Sequence, residues 1–251
     1  MFDPVALRRV AWRALPFLAG SALSCGDIQP TAPAADQVIV QVVLSTATTE
    51  QEMWIERMHA VSGQGIDPGP LPLTAPPTRI EVRNDFGSVY TFVGDSTNSI
   101  RFTAAFTPVG GQPYHLLIDV PGRTITGTVV VPGSVQIVEP PTDTLDVGPN
   151  DVVLVRWTSP SSRDFAWIET ADSTGSAFPV GSLTQDTSLT IPAGLSVTHP
   201  YLWILAMDPA TAAFYDAERQ GLDRWKVTGN LHGAVGVFGA LTADRLYIRV
   251  N

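Results

Sequence analysis

Arg79-Ile-Glu-Val-Arg-Asn-Asp-Phe-Gly-Ser-Val-Tyr-Thr-Phe-Val93 decides the fold class of this chain. Apolar and charged side chains alternate strictly through 79–83, the pattern of a half-buried strand, because successive side chains of an extended backbone point to opposite faces. Asn84-Asp-Phe-Gly87 supplies residues that reverse a chain tightly, and 88–93 returns as the partner strand. The same grammar extends in both directions. Downstream, 100–106 reads as a strand, Pro108-Val-Gly-Gly-Gln-Pro113 as a turn and 114–120 as a strand, before Pro121-Gly122 turns the chain into 124–131. Upstream, Gln37-Val-Ile-Val-Gln-Val-Val-Leu-Ser45 is β-branched and apolar, 51–57 is a second strand, and 61–77 is a long Gly/Pro loop. Short strands at this spacing, with no sustained helical period, indicate an antiparallel sandwich.

Pro132 to Pro149, with Pro140-Pro141 and spaced aspartates, reads as a linker, and a boundary near Val138 divides an N-terminal β-sandwich (37–138) from a C-terminal one (139–251). The second unit opens with Asp151-Val-Val-Leu-Val-Arg-Trp-Thr158 and continues through strands at 164–170, 187–191 and 200–208. The helix formers of 210–220, stopped by Gly221, predict one short helix. The expected class is all-β: two tandem Ig/fibronectin-like antiparallel sandwiches following an N-terminal leader.

Two stretches of the second unit carry resemblances. Trp157 stands where the fibronectin type III family has its second-strand tryptophan, and Leu195-Ser-Val-Thr-His-Pro-Tyr201 keeps the Leu and Tyr of that family's tyrosine corner, with Val197 and His199 in place of Pro and Thr. The resemblance implies that the Tyr201 hydroxyl closes the sandwich by a bond to backbone. The ending Asn230-Leu-His-Gly-Ala-Val-Gly-Val-Phe-Gly-Ala240 resembles the closing motif of uncharacterised bacterial lipoproteins with a domain of unknown function, often found beside TonB-dependent transporters. Asn230, Gly233, Gly236, Val237, Phe238, Gly239 and Ala240 match that motif, and Ala234 replaces its second glycine. That family brings no established activity. Physically, the three glycines suit a backbone that turns sharply or lies against another strand, and Val237 and Phe238 are expected to pack onto the second sandwich.

The leader agrees with a lipoprotein. Arg8, Arg9 and Arg13 precede the apolar 14–24, which ends at Cys25, the chain's single cysteine. That apolar run is shorter than the ~20 residues of a bilayer span but fits a signal-peptide core. Ala22-Leu23-Ser24-Cys25 resembles a lipobox, which implies cleavage after residue 24, acylation of Cys25 and a Thr/Pro/Ala-rich tether over 25–36. Two or more acyl chains anchor stably, at roughly 0.8 kcal/mol per buried CH₂. With 44% hydrophobic and 16% charged residues the chain can bury cores, and its net charge of −9 with one lysine argues against nucleic acid as a partner.

No catalytic centre emerges. The histidines at 59, 115, 199 and 232 lack zinc spacing, the glycines of 233–239 lack a P-loop lysine, and the aspartates at 143, 146 and 151 lack a calcium-loop pattern. No metal or cofactor is expected. Trp54, Trp157, Trp167 and Trp203 suit sandwich cores, whereas Trp225, Asn230 and His232 are candidates for ligand contact. The expected function is a non-enzymatic, lipid-anchored protein of the cell envelope (outer membrane or periplasm-facing), accessory to a transporter or to envelope assembly. The alternative is a glycan- or peptide-binding surface lipoprotein that uses loop aromatics.

Overall fold

The computed structural model describes residues 37–57, 72–158, 165–171, 177–179, 184, 186–192, 200–220 and 229–251. The first half consists of strands β1 (Val38–Ser45), β2 (Glu50–Arg57), β3 (Arg79–Asn84), β4 (Val89–Thr91), β5 (Val93–Asp95), β6 (Asn98–Ala105), β7 (Pro113–Val120) and β8 (Arg123–Val130). Strands β1, β2, β6 and β5 pair in that order in one sheet, and β8, β7, β3 and β4 in another. The period-two pattern acts as the sequence requires: along β8, Ile125 and Val129 are buried while Thr124, Thr126 and Thr128 face solvent. The inner faces meet over a core in which Val40, Val42, Leu44, Met53 and Ile55 oppose Ile80, Val82, Leu116, Ile118 and Ile125. Aromatic rings fill one side of it, with Tyr90 stacked on Phe106 at 3.9 Å between centroids. The Asn84 turn forms as expected, its Oδ1 accepting from the amides of Phe86 (3.1 Å) and Ser88 (2.9 Å).

The second half adds β9 (Gln136–Glu139), β10 (Thr144–Val147), β11 (Val152–Thr158), β12 (Phe165–Ala171), β13 (Ala177–Pro179), β14 (Ser188–Pro192), β15 (Tyr201–Met207), helix α1 (Pro209–Arg219), β16 (Leu231–His232) and β17 (Val235–Val250). A three-stranded sheet β14-β11-β9 packs Val153, Val155, Trp157 and Ile191 against Leu202, Ile204, Leu246 and Ile248 of β15 and β17. The helix falls where its sequence predicts. The supposed linker does not remain a linker: β9 and β10 lie within it. Ile137, Leu145 and Val147 pack against the second core, and Asp146 pairs with Arg249 at 3.1 Å. Apolar alternation around those residues outweighs the prolines and aspartates that suggest a tether.

Strand β17 unites the halves. Its first part pairs parallel with β1, from Ile39↔Val235 to Ser45↔Leu241. Its middle pairs antiparallel with β15, from Met207↔Leu241 to Tyr201↔Tyr247, and its end pairs parallel with β10 from Thr144↔Tyr247. One nine-stranded sheet therefore runs through both halves. The 16 residues of β17 extend about 50 Å at the ordinary strand rise. By alternation Phe238 and Ala240 enter the first core, and Leu246 and Ile248 on the same face enter the second. On the opposite face Leu241 joins Leu205, Met207 and Ala212 of α1 in a third cluster. Phe238 thus packs in the first sandwich rather than the second, and Val237 alternates away from it.

Gly236 shows what this strand demands. Its φ is +112°, and a β-carbon there would stand 2.0 Å from the Val40 carbonyl oxygen of β1. We expect Gly236→Val to lower stability sharply, and Phe238→Ala, at a fully buried site, to cost about 3–5 kcal/mol. Urea midpoints at unchanged slope would check both; a midpoint unmoved by Phe238→Ala would contradict its place in the core.

Candidate functional site

Polar side chains at the ending join β17 to its surroundings. On one edge β17 is paired with β1; on the other, β15 begins only at Leu241. Between these, side chains stand in for a strand. Asn230 Oδ1 accepts from the Phe238 amide at 3.1 Å, while its Nδ2 donates to the carbonyls of Phe238 (2.7 Å) and Thr128 of β8 (2.9 Å). One amide therefore ties the two sheets of the first sandwich together. Two residues further along, the Ala240 amide donates to Asp208 Oδ2 at 2.6 Å and lies 2.9 Å from Thr211 Oγ1, and the Asp208 amide donates to the Ala240 carbonyl at 3.1 Å.

Asp208 is also the N-cap of α1. Its Oδ1 accepts from the Ala210 amide at 2.9 Å and the Thr211 amide at 3.4 Å, and the Thr211 hydroxyl donates to its Oδ2. Asp followed by Pro209 is a helix-start signal in sequence; its second use, as a clamp on β17, is not visible there. The helix sits so close that a β-carbon at Gly239 would lie 1.9 Å from Thr211 Oγ1. Burial pushes the Asp208 carboxyl above the usual carboxylate range, against the opposing pull of bonds from the Thr211 hydroxyl and the Ala240, Ala210 and Thr211 amides.

The other candidates lie apart from this junction. His232 is exposed on β16, paired opposite Thr126, and Gly233 turns the chain between β16 and β17 at φ +84°. Trp157 is buried in the second core, as expected of a sandwich tryptophan. Tyr201 is half-buried, its ring 5.2 Å from that of Tyr247. Trp203 is half-buried beneath the Arg245 guanidinium, which lies 5.7 Å from the ring centroid. Cys25, Leu195 and Trp225, with His59 and His199, lie outside the described residues.

Two polar clusters are not marked by any local motif, since each needs at least one partner brought in from another strand. On the solvent face of β7, His115 Nε2 contacts Asp85 Oδ1 at 2.7 Å and Nδ1 contacts Thr128 Oγ1 at 3.1 Å. This line of carboxylate, imidazole and hydroxyl lies on an open sheet, with the Asp85 and His115 side chains 56% and 48% exposed. It pins the β3–β4 turn to β8, at a worth of at most about 1 kcal/mol for such exposed contacts. The second cluster centres on Arg101, which bonds Glu52 and reaches Asp95 at 2.6 Å. The Thr97 hydroxyl and amide, followed by Arg101, draw the Asp95 carboxyl down to about 2. Among the described residues, no group of three or more His, Cys, Asp or Glu could hold a metal ion, and no helix is long and apolar enough to cross a membrane.

No family model matches the sequence, and no curated protein matches it. Among solved structures the chain is similar to the BSP domain of a biofilm-associated protein, at 16% identity and a TM-score of 0.27. It is also similar to a Ca²⁺-stabilized adhesin that helps an Antarctic bacterium reach out and bind ice, at 12% identity and a TM-score of 0.26. These alignments cover 85% and 87% of this chain but only 30% and 50% of those chains. They assign no role to any residue here.

Asp208→Ala removes a helix cap and one of the two acceptors of the buried Ala240 amide, Thr211 Oγ1 remaining, so a loss of about 1–3 kcal/mol is expected in urea melts. Asn230→Ala leaves both the amide and the carbonyl of Phe238 without that partner and should cost about 1–3 kcal/mol. The pH dependence separates two carboxylates. Because the folded-state pKa of Asp208 is raised, its contribution is fully present below the ordinary aspartate value of about 3.9 and is lost as pH rises through the folded-state value. Asp95 has the opposite sign: its contribution is present above about 3.9 and is lost as pH falls toward about 2. Asp208→Asn should therefore abolish a slope above pH ~4 that wild type shows; identical pH profiles for the two proteins would contradict the raised carboxyl.

Proposed function

We propose that this protein is a non-enzymatic lipoprotein, held to the cell envelope through Cys25, whose fused sandwiches act as a rigid spacer for a transporter or an envelope assembly. The observation that carries this reading is the single strand β17 running through both cores. The Thr/Pro/Ala-rich stretch 25–36 precedes β1 in sequence, and the first residues of β1 lie beside the start of β17. An anchor at Cys25 would hold the first sandwich near the bilayer and set the far end of β17 roughly 50 Å further out. The lipobox-like Ala22-Leu23-Ser24-Cys25 supports the anchor. The division of the second unit's strands between β14-β11-β9 and β13-β12-β15-β17 supports the fibronectin type III resemblance. The Asn230 and Asp208 bonds support a structural role for the ending that resembles the motif of lipoproteins found beside transporters, since they give its polar groups internal partners.

The test is processing. In cells fed a labelled palmitate, wild type is expected to carry the label and to lose residues 1–24, while Cys25→Ser remains an unlabelled precursor. A wild-type mass without acyl groups would overturn the lipoprotein reading.

A further inference from the structure

We infer that β1 and β17 form a mechanical tie that transmits pulling force between the N-terminal tether and the far sandwich. The inference takes its biological meaning from the anchored reading above, but its geometry stands independently. The two strands are parallel, so the residue entering β1, Gln37, and the residue leaving β17, Asn251, lie at opposite ends of the pair. Tension applied between those points draws the strands past each other along their length. The seven register pairs from Ile39↔Val235 to Ser45↔Leu241 are then loaded together in shear, not one after another.

Three features resist that sliding. Val40, Val42 and Leu44 face the first core beside Phe238 and Ala240, and all five are fully buried. A one-residue slip turns each such side chain to the wrong face. Gly236 lies against the Val40 carbonyl with no room even for a methyl group, so the two backbones interlock. On the opposite edge of β17, Asn230 holds both the amide and the carbonyl of Phe238, and Asp208 holds those of Ala240. Beyond Leu241, the ladder with β15 passes the same tension into the second sandwich, antiparallel but again along the strand axis. A strand clamped on both edges over this length is a poor hinge and a good tether.

Single-molecule pulling tests the inference on the chain with Cys25 replaced by Ser, which frees cysteine chemistry for handles. Handles at Gln37→Cys and Asn251→Cys load β1 against β17 in shear. Handles at Gln37→Cys and Ala234→Cys, the latter just before β17 and outside the β16–β8 ladder, grip the same end of the pair and peel it open. The shear geometry is expected to rupture at a several-fold higher force than the peeling geometry at equal pulling speed. Asn230→Ala should lower the shear force while leaving the peeling force nearly unchanged. Equal forces in the two geometries, or a lower force in shear, would overturn the mechanical tie. Because the experiment uses no lipid, an absent acyl group on Cys25 would sink the anchor and leave this result standing.

Discussion

Everything in this molecule depends on the edge of β17 between Phe238 and Ala240. A strand that passes from one sandwich into the next must keep its backbone groups bonded where one set of neighbours ends and another begins. Buried amides and carbonyls left bare there would each cost about 1–3 kcal/mol. The chain solves this with two side chains, Asn230 and Asp208, that take the place of a missing strand for two residues until β15 arrives at Leu241. Because Asn230 also reaches β8 and Asp208 also caps α1, the same bonds fix the facing sheet and the helix.

The glycines of the ending are the steric counterpart of those bonds. Gly236 lets β17 press against β1, and Gly239 lets the first turn of α1 settle on the sheet. In sequence the motif lacks the lysine of a phosphate loop and its glycines suit close strand approach; in the structure Gly236 and Gly239 stand where neighbouring atoms leave no room for a β-carbon. Its one aromatic, Phe238, fills the first core and not the second, so residues at the end of the chain complete the sandwich formed at its beginning.

Where side chains simply alternate, the sequence is readable. The hairpin around Asn84, the strands flanking Pro121-Gly122, the buried Trp157 and the helix after Asp208 all follow from local rules of period, turn chemistry and capping. What escapes those rules is nonlocal. Nothing in Val38-Ile-Val-Gln-Val-Val-Leu-Ser45 names β17 as its parallel partner, because parallel pairing carries no turn signature and its two members stand almost the whole chain apart. The strands β9 and β10 were obscured by Pro140-Pro141 and by aspartates whose partners, such as Arg249, lie about a hundred residues on. Asn230 and His232 are adjacent but one in their motif, yet Asn230 is built into the sheets and His232 remains on the surface, a distinction made only by the register of β16 on β8.

Strand β17 makes the two sandwiches one cooperative body, and amide hydrogen exchange along 235–250 puts this to the test. The bonded amides of β17, Phe238 and Ala240 included, are expected to open with a single free energy equal to that of global unfolding, with no step on passing Leu241. A plateau of protection on one side of Leu241 and rapid exchange on the other would contradict it and leave two independent domains joined by an extended segment.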